Sequence, residues 1–241
     1  MKKFFFSILL FPTVLLASEA GYRLDRAPIY PRDLLSLQSG ARTFVNYCLN
    51  CHGAQYMRYN RLTDLGLTEA QIRDNLILTE AKIGDTMKVP LSAKDGKSMF
   101  GVAPPDLSVI GRSRSDDWLY TYLRTFYRDA RSPTGWNNAV FPQVAMPHPL
   151  WALQGERALA ISHKGTPGHV VTEYQWSEIS KGEQNTVQFD TTVRDLVNFL
   201  VYMGEPNAVS RKNIGIVALF VLGVLLIFVY ALKKEYWKDV H

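Results

Sequence analysis

Apolar residues recur at helical spacing along much of the chain, and this periodicity predicts a mainly α-helical fold. The first predicted helix begins near Asp33 and has one apolar face, formed by Leu34, Leu37, Ala41, Phe44, Val45 and Cys48. A second helix is predicted to begin near Thr68, because Thr68 and Gln71 have the spacing of a capping box.

Two further helices are predicted in the second half of the sequence. The third runs from Asp116 to about Arg128, and its acidic N-terminus is the end at which the helix dipole favours negative charge. The fourth begins with the capping-box pair Thr192 and Asp195 and ends at Gly204.

A polar stretch with several glycines separates the third and fourth helices, between residues 151 and 191. Residues 169–174 within it include β-branched residues typical of a strand. We therefore expect an insertion that contains a hairpin.

The C-terminal part of the chain contains a longer apolar segment. Residues 213–232 carry no charge and lie between the basic pairs 211–212 and 233–234. Twenty helical residues extend about 30 Å, which matches the hydrocarbon core of a bilayer. A buried core helix is the alternative, but such a helix is rarely apolar on every face. The segment predicts one transmembrane helix in contact with membrane lipid.

The N-terminus has the pattern of a secretory signal peptide over residues 1–20. A short basic region and an uncharged apolar run are followed by small residues that favour cleavage after Ala20. An uncleaved N-terminal anchor is the alternative. With cleavage, residues 21–210 form a periplasmic domain on a single-pass protein of the bacterial inner membrane, and residues 233–241 form a cytoplasmic tail.

Size and charge limit the choice of partners. The exported segment of about 190 residues is the length of one domain with a substantial core. The formal net charge is +5, and the sequence shows neither a basic stripe nor interleaved aromatic residues. These features predict that the protein does not bind nucleic acid.

The chain's two cysteines lie in Cys48-Leu49-Asn50-Cys51-His52, the C-x-x-C-H signature of covalent haem attachment. Thiols at this spacing lie on one side of a helix, from which both can add to the vinyl groups of one porphyrin. The next side chain, His52, is then placed to ligate the iron. A single motif predicts one haem c. We expect a mainly α c-type cytochrome domain, with helices around the haem and loop or short β insertions.

Three other uses of such cysteines are a redox dithiol, a disulfide and half of a zinc site. Zinc requires further Cys or paired His residues, and the sequence contains no second cluster. A thioredoxin-like dithiol follows a strand, whereas Cys48 lies at the end of a predicted helix. The histidine, the helix and the export signal favour haem.

Met146 is the candidate for the sixth iron ligand, because a thioether raises the potential of a c-type haem and closes the iron to substrates. It lies in residues 141–151, where three prolines exclude a helix and can hold the side chain in place. His148 is the rival ligand. Met57 is too near His52 in sequence to reach the opposite haem face.

Two segments can complete the surroundings of the haem. The proline-stiffened loop of residues 103–107 offers carbonyl groups to the Nδ1–H of His52, and such a bond fixes the orientation of a ligating imidazole. Arg112 and Arg114 follow, and buried haem propionates need cationic partners. Taken alone, two solvated surface arginines would fit equally well.

This set of motifs resembles the cytochrome c1 family over nearly the whole exported chain. The segments that carry the resemblance are residues 36–52, 100–108, 118–124, 134–138 and 141–151, in that order, followed by the single C-terminal anchor.

The resemblance implies roles for particular residues. His52 and Met146 would be the axial ligands, Pro105 the acceptor for His52, and Arg114 a partner of a propionate. Trp118 stands where some relatives have a tyrosine, so no role of that hydroxyl can be transferred.

The resemblance also implies a function: electron transfer by the haem subunit of the cytochrome bc1 complex. Electrons would come from the Rieske iron–sulfur protein and pass to a cytochrome c, while cytochrome b oxidises quinol. We therefore expect no catalytic acid, base or nucleophile in this chain. The alternatives are a tethered monohaem cytochrome that serves another oxidase or reductase, and a haem enzyme such as a peroxidase, which needs an open iron.

Overall fold

A computed structural model of the chain describes residues 22–166 and 169–239. The predicted signal peptide, residues 1–20, lies outside the described residues. Within the described ranges the chain forms eight α-helices and one 3-10 helix, Tyr59–Leu65. The α-helices are α1 Leu34–Tyr47, α2 Glu69–Leu76, α3 Ala93–Phe100, α4 Ile110–Ser113, α5 Asp116–Arg124, α6 Trp151–Gln154, α7 Thr186–Gly204 and α8 Ala208–Tyr236.

The strands of the described chain form three separate antiparallel pairs. The strands are β1 Ala54–Arg58 with β2 Thr86–Met87, β3 Phe126–Arg128 with β4 Trp136–Asn138, and β5 Gly155–Thr166 with β6 His169–Lys181. The last pair is the hairpin expected between residues 151 and 191. The mainly helical class predicted from the periodicity is confirmed.

Helices α1 and α7 form the centre of the core. Their contact is close because Gly40 lies against the α7 backbone, where a Cβ atom would be 2.0 Å from Asp195 O. Beside it, Ser36 Oγ donates to Asp195 Oδ1 (2.7 Å), and Asn198 Nδ2 donates to Ser36 Oγ (3.0 Å). This buried polar group fixes the register of the two helices.

The predicted helix starts are right for α1 and α2. Asp33 caps α1 by accepting a hydrogen bond from Ser36 N, and Thr68 and Gln71 form the predicted capping box of α2. Both caps are local interactions within four residues, which is why the sequence shows them directly.

Two predicted helix boundaries were wrong. The third helix ends at Arg124 rather than near Arg128, because residues 126–128 pair with β4 instead. The fourth begins at Thr186 rather than Thr192, because Asn185 and Gln188 form the actual capping box. Its predicted end at Gly204 is correct.

Helix α8 includes the segment predicted to cross the membrane. Residues Ser210–Tyr236 are long and apolar enough for a membrane span, and none of them is buried. Exposure of apolar residues on every face fits lipid as the surrounding medium, because water would penalise such a surface.

We predict that Gly40→Ala weakens the contact between α1 and α7. The added methyl group would meet backbone atoms that cannot rotate away, so we expect a loss of at least about 2 kcal/mol in unfolding free energy. Gly84→Ala is the matched control, because no atom lies within 4 Å of its added Cβ. Denaturant unfolding followed by circular dichroism in detergent measures both. Equal midpoints for the two variants would contradict the packing described here.

Candidate haem site

The C-x-x-C-H motif forms a turn that directly continues α1. Cys48 N donates to Phe44 O (2.9 Å), and His52 N donates to Cys48 O (2.8 Å). Cys48 is buried, Cys51 is partly buried, and both thiols are free. One rigid turn therefore carries both thiols and the imidazole.

A second segment, the loop of residues 103–108, fixes the orientation of His52. The imidazole Nδ1 lies 2.8 Å from Pro105 O, and Leu107 N donates to Gly53 O (2.8 Å). Because a carbonyl can only accept, Nδ1 carries the proton and the lone pair of Nε2 is available to a metal.

The same loop is attached to β1 by two side chains. Asp106 Oδ2 accepts a hydrogen bond from Gln55 N (2.9 Å), and Ser108 Oγ accepts one from Tyr56 N (3.0 Å). Together with the bonds of Pro105 and Leu107, these contacts attach the loop of residues 103–108 to residues 52–56. Strain or displacement of the loop would turn the imidazole.

The protonation state of His52 suits a metal ligand. Burial lowers the pKa of His52, and the hydrogen bond to Pro105 and the charge of Asp106 offset this in part. Among the described residues, no hydrogen bond involves Nε2 of His52. A neutral imidazole with one nitrogen fixed and the other free is the usual form of a ligating histidine.

The environment of Cys48 argues against the thiolate alternatives. Burial raises the pKa of Cys48 to about 12, and the neighbouring Cys51 adds to the increase. A reactive dithiol or a zinc site needs a thiolate, which this position disfavours. The part of the chain that the structure describes has no group of three or more His, Cys, Asp or Glu suited to a metal. A thioether is uncharged and carries no such cost.

Met146 lies in a loop without helical structure, as its prolines predict. Its side chain packs against a small apolar cluster of Phe126, Trp136 and Val144. Its sulfur lies 3.9 Å from the hydroxyl of Tyr122, which donates to it.

Two asparagines connect the Met146 loop to α5 and β4. Asn138 Nδ2 donates to Tyr122 O (2.7 Å), while its Oδ1 accepts from Val140 N (2.9 Å). Asn137 Oδ1 accepts from Gln143 N (2.8 Å). The loop before Met146 is thus held by side-chain amides at both of its turns.

His148, the rival ligand, belongs to the core. Its ring is buried and stacks on Phe126 with centroids 4.8 Å apart, and Nε2 lies 2.8 Å from Gln154 Oε1. Burial lowers the pKa of His148 to about 3, so the ring is neutral near pH 7. Its Nδ1 has no hydrogen-bond partner among the described residues, but the ring is enclosed by Phe126, Trp136 and Phe189. Because this packing encloses the ring, the geometry favours Met146.

The two candidate propionate arginines are both exposed. The guanidinium of Arg114 lies over Trp118, 4.8 Å from the ring centroid, and the stem of Arg112 lies near Gly204 at the end of α7. Neither guanidinium forms an ion pair within ranges 22–166 and 169–239. A propionate role for either arginine stays a prediction.

These residues fit a covalently bound haem. Cys48 belongs to the large cluster built on α1 and α7, whereas Met146 packs on the small cluster around Trp136. Tyr122 packs against both clusters. Two neutral thiols that can add to the porphyrin's vinyl groups, and an imidazole and a thioether that can ligate its iron, are the groups that a six-coordinate c-type haem needs.

A cavity of about 720 Å³ lies next to this region. Its wall includes Phe100 and Gly101, which precede the loop of residues 103–108, and Val144 and Ala145, which precede Met146. Cys48, Cys51, His52 and Met146 are not part of its wall, so the cavity is not itself the candidate haem site.

Sequence reasoning missed several residues that position the candidate ligands. All but Gly53 lie in segments that carried the family resemblance, but none had an assigned role: Gly53, Asp106, Ser108, Tyr122, Asn137 and Asn138. The sequence offered one signal for them, which was the position of Asp106 directly after Pro104 and Pro105. Asp and Ser side chains at such positions commonly accept hydrogen bonds from nearby backbone N–H groups.

Comparison with known proteins gives one family match. The sequence matches the Cytochrome C1 family over residues 27–158 and 171–240. It is 48% identical to a protein of Nitrosomonas europaea named "Ammonia monooxygenase gamma subunit" over 241 residues, which is 100% of this chain and 99% of the relative.

Several relatives are named cytochrome c1, and two of them are bacterial proteins that align over nearly the whole chain. The one from Allochromatium vinosum is 48% identical over 235 residues, covering 97% of this chain and 96% of the relative. The one from Rhodospirillum rubrum is 26% identical over 261 residues, covering 93% and 91%.

We predict that Met146→Ala keeps the covalent haem but loses the sixth ligand. The potential should fall by on the order of 100 mV, since axial ligands tune haem potentials over about 0.8 V. The reduced variant should also bind carbon monoxide. Met99→Ala is the control, because Met99 is exposed on α3. If Met146→Ala retains the wild-type potential and the thioether-to-iron charge-transfer band, Met146 is not the ligand.

Proposed function

Because this chain belongs to the cytochrome c1 family, we propose that it is the electron-transfer haem subunit of a cytochrome bc1 complex. One observation carries the proposal: the family match is continuous from Cys48 to Met146 and also includes α8. The match therefore covers both halves of the candidate site and the anchor.

The chain's own residues bind and orient one haem c. When bound, the haem supplies one-electron transfer between the ferric and ferrous states. Cys48 and Cys51 would hold it covalently, and His52, oriented by its hydrogen bond to Pro105, would ligate the iron. Met146 would be the second iron ligand, which would close the iron to substrates and water. Neither ligand needs to gain or lose a proton, so the site transfers electrons without acid–base catalysis.

The partners follow from membership of the complex. The chain receives electrons from the Rieske iron–sulfur protein and delivers them to a cytochrome c, and cytochrome b oxidises quinol beside it. In the proposal, Arg112 and Arg114 lie near the haem propionates. Their exposure and lack of ion pairs among the described residues support this, because the guanidinium groups are available for a further anion.

The membrane arrangement gives the haem domain a fixed location. Helix α8 anchors the chain in the membrane. We infer that the signal peptide is cleaved after Ala20, that residues 21–210 lie on the periplasmic side, and that residues 233–241 stay in the cytoplasm. Tethering maintains the haem at a high effective concentration next to its electron donor.

The name of the Nitrosomonas relative suggests a second candidate, a tethered cytochrome that serves a monooxygenase. Such a protein would be one example of a tethered monohaem cytochrome that serves an oxidase or reductase other than the bc1 complex. Both relatives at 48% identity are equally close, and the family description favours the bc1 complex. Identifying the membrane protein that copurifies with the chain would distinguish between the two functions.

We predict that the tagged full-length chain, purified in mild detergent, carries a b-type cytochrome with it and reduces cytochrome c with quinol. A chain that ends at Ser210 lacks nearly all of α8 and is the matched control. It should acquire haem and remain soluble, but should neither bind cytochrome b nor restore quinol-dependent turnover in membranes.

The proposed function would be refuted if the full-length haem protein purified with a monooxygenase and without cytochrome b. Wild-type turnover with the chain ending at Ser210, washed free of membranes, would refute the tethering argument alone.

A further inference from the structure

Tyr122 lies between the two parts of the candidate haem site. It is on α5, packs against both apolar clusters, and directs its hydroxyl to Met146 Sδ at 3.9 Å. In the described chain this is the hydroxyl's only hydrogen bond. None of the sequence motifs assigned a role to this tyrosine.

The direction of this hydrogen bond follows from the atoms involved. A thioether sulfur carries no proton, so the phenol is the donor. The sulfur has two lone pairs, and one can bind iron while the other accepts the hydroxyl. The two interactions are therefore compatible at the same sulfur.

The ring of Tyr122 is held on both sides. It stacks on Trp118 with centroids 4.7 Å apart and planes 11° apart, and it meets the edge of Phe126 at 5.1 Å. Its backbone carbonyl accepts Asn138 Nδ2 at 2.7 Å. A ring held in this way keeps its hydroxyl at one position, which is what a positioning residue requires.

We propose that Tyr122 is a positioning residue for the sixth iron ligand and that its hydroxyl holds Met146 Sδ in place and tunes its donor strength. This inference rests on the proposed ligation by Met146. A hydrogen bond withdraws electron density from the sulfur, which weakens its donation to iron. The ferric state needs that donation more, so the hydroxyl favours the ferrous state and raises the potential.

The test compares Tyr122→Phe with Tyr120→Phe in the full-length chain. Tyr120 is buried on the same helix, but its ring lies beside Arg124, with the guanidinium 4.5 Å from the centroid. Redox titration followed by absorbance measures the potential, and the thioether-to-iron band reports the ligand. Tyr122→Phe should lower the ferrous-to-ferric ratio at fixed applied potential by roughly two- to fivefold and shift the band. Tyr120→Phe should leave both unchanged.

Two outcomes would overturn the inference. If Tyr122→Phe has the wild-type potential and band, the hydroxyl does not act on the ligand, while ligation by Met146 and the proposed function stand. If the wild-type protein lacks the thioether band, Met146 is not a ligand and the inference fails with that assignment.

A second variant covers the case in which Tyr122→Phe does not fold. Trp118→Phe keeps the hydroxyl but reduces the stacking surface that holds its ring. It should lower the potential in the same direction by a smaller amount. An unchanged potential in Trp118→Phe would then overturn the inference.

Discussion

The hydrogen bond from His52 Nδ1 to Pro105 O is the interaction on which the rest of the site depends. It determines which imidazole nitrogen carries the proton, and so leaves Nε2 free for iron. The position of Pro105 O is fixed because Asp106 and Ser108, on the same loop, accept hydrogen bonds from backbone N–H groups of β1. The chain thus orients its candidate ligand His52 through a backbone carbonyl, whose position changes little with pH or redox state.

The opposite half of the site is built by different means. Met146 is held by a loop whose turns are bonded to Asn137 and Asn138, and its sulfur accepts the Tyr122 hydroxyl. His148, two residues after Met146, is a neutral core residue whose ring stacks on Phe126. A loop that is hydrogen-bonded at its turns, and whose candidate ligand packs on Phe126, Trp136 and Val144, has little freedom to move, which suits electron transfer with small rearrangement.

The sequence made the attachment chemistry predictable but not the support around it. The spacing of Cys48, Cys51 and His52 follows from covalent geometry, and local caps revealed the starts of α1 and α2. The third helix was predicted too long because pairing of β3 with β4 decides its end, and that pairing depends on distant residues. The Tyr122–Met146 contact joins residues 24 positions apart and has no periodic signal.

The most direct test of this account is to locate the iron by anomalous diffraction at the iron edge, using crystals of the purified full-length complex. The account predicts one iron in this chain, within bonding distance of both His52 Nε2 and Met146 Sδ, with thioether bonds at Cys48 and Cys51. An iron bound by His148, or one with an open sixth position, would contradict it.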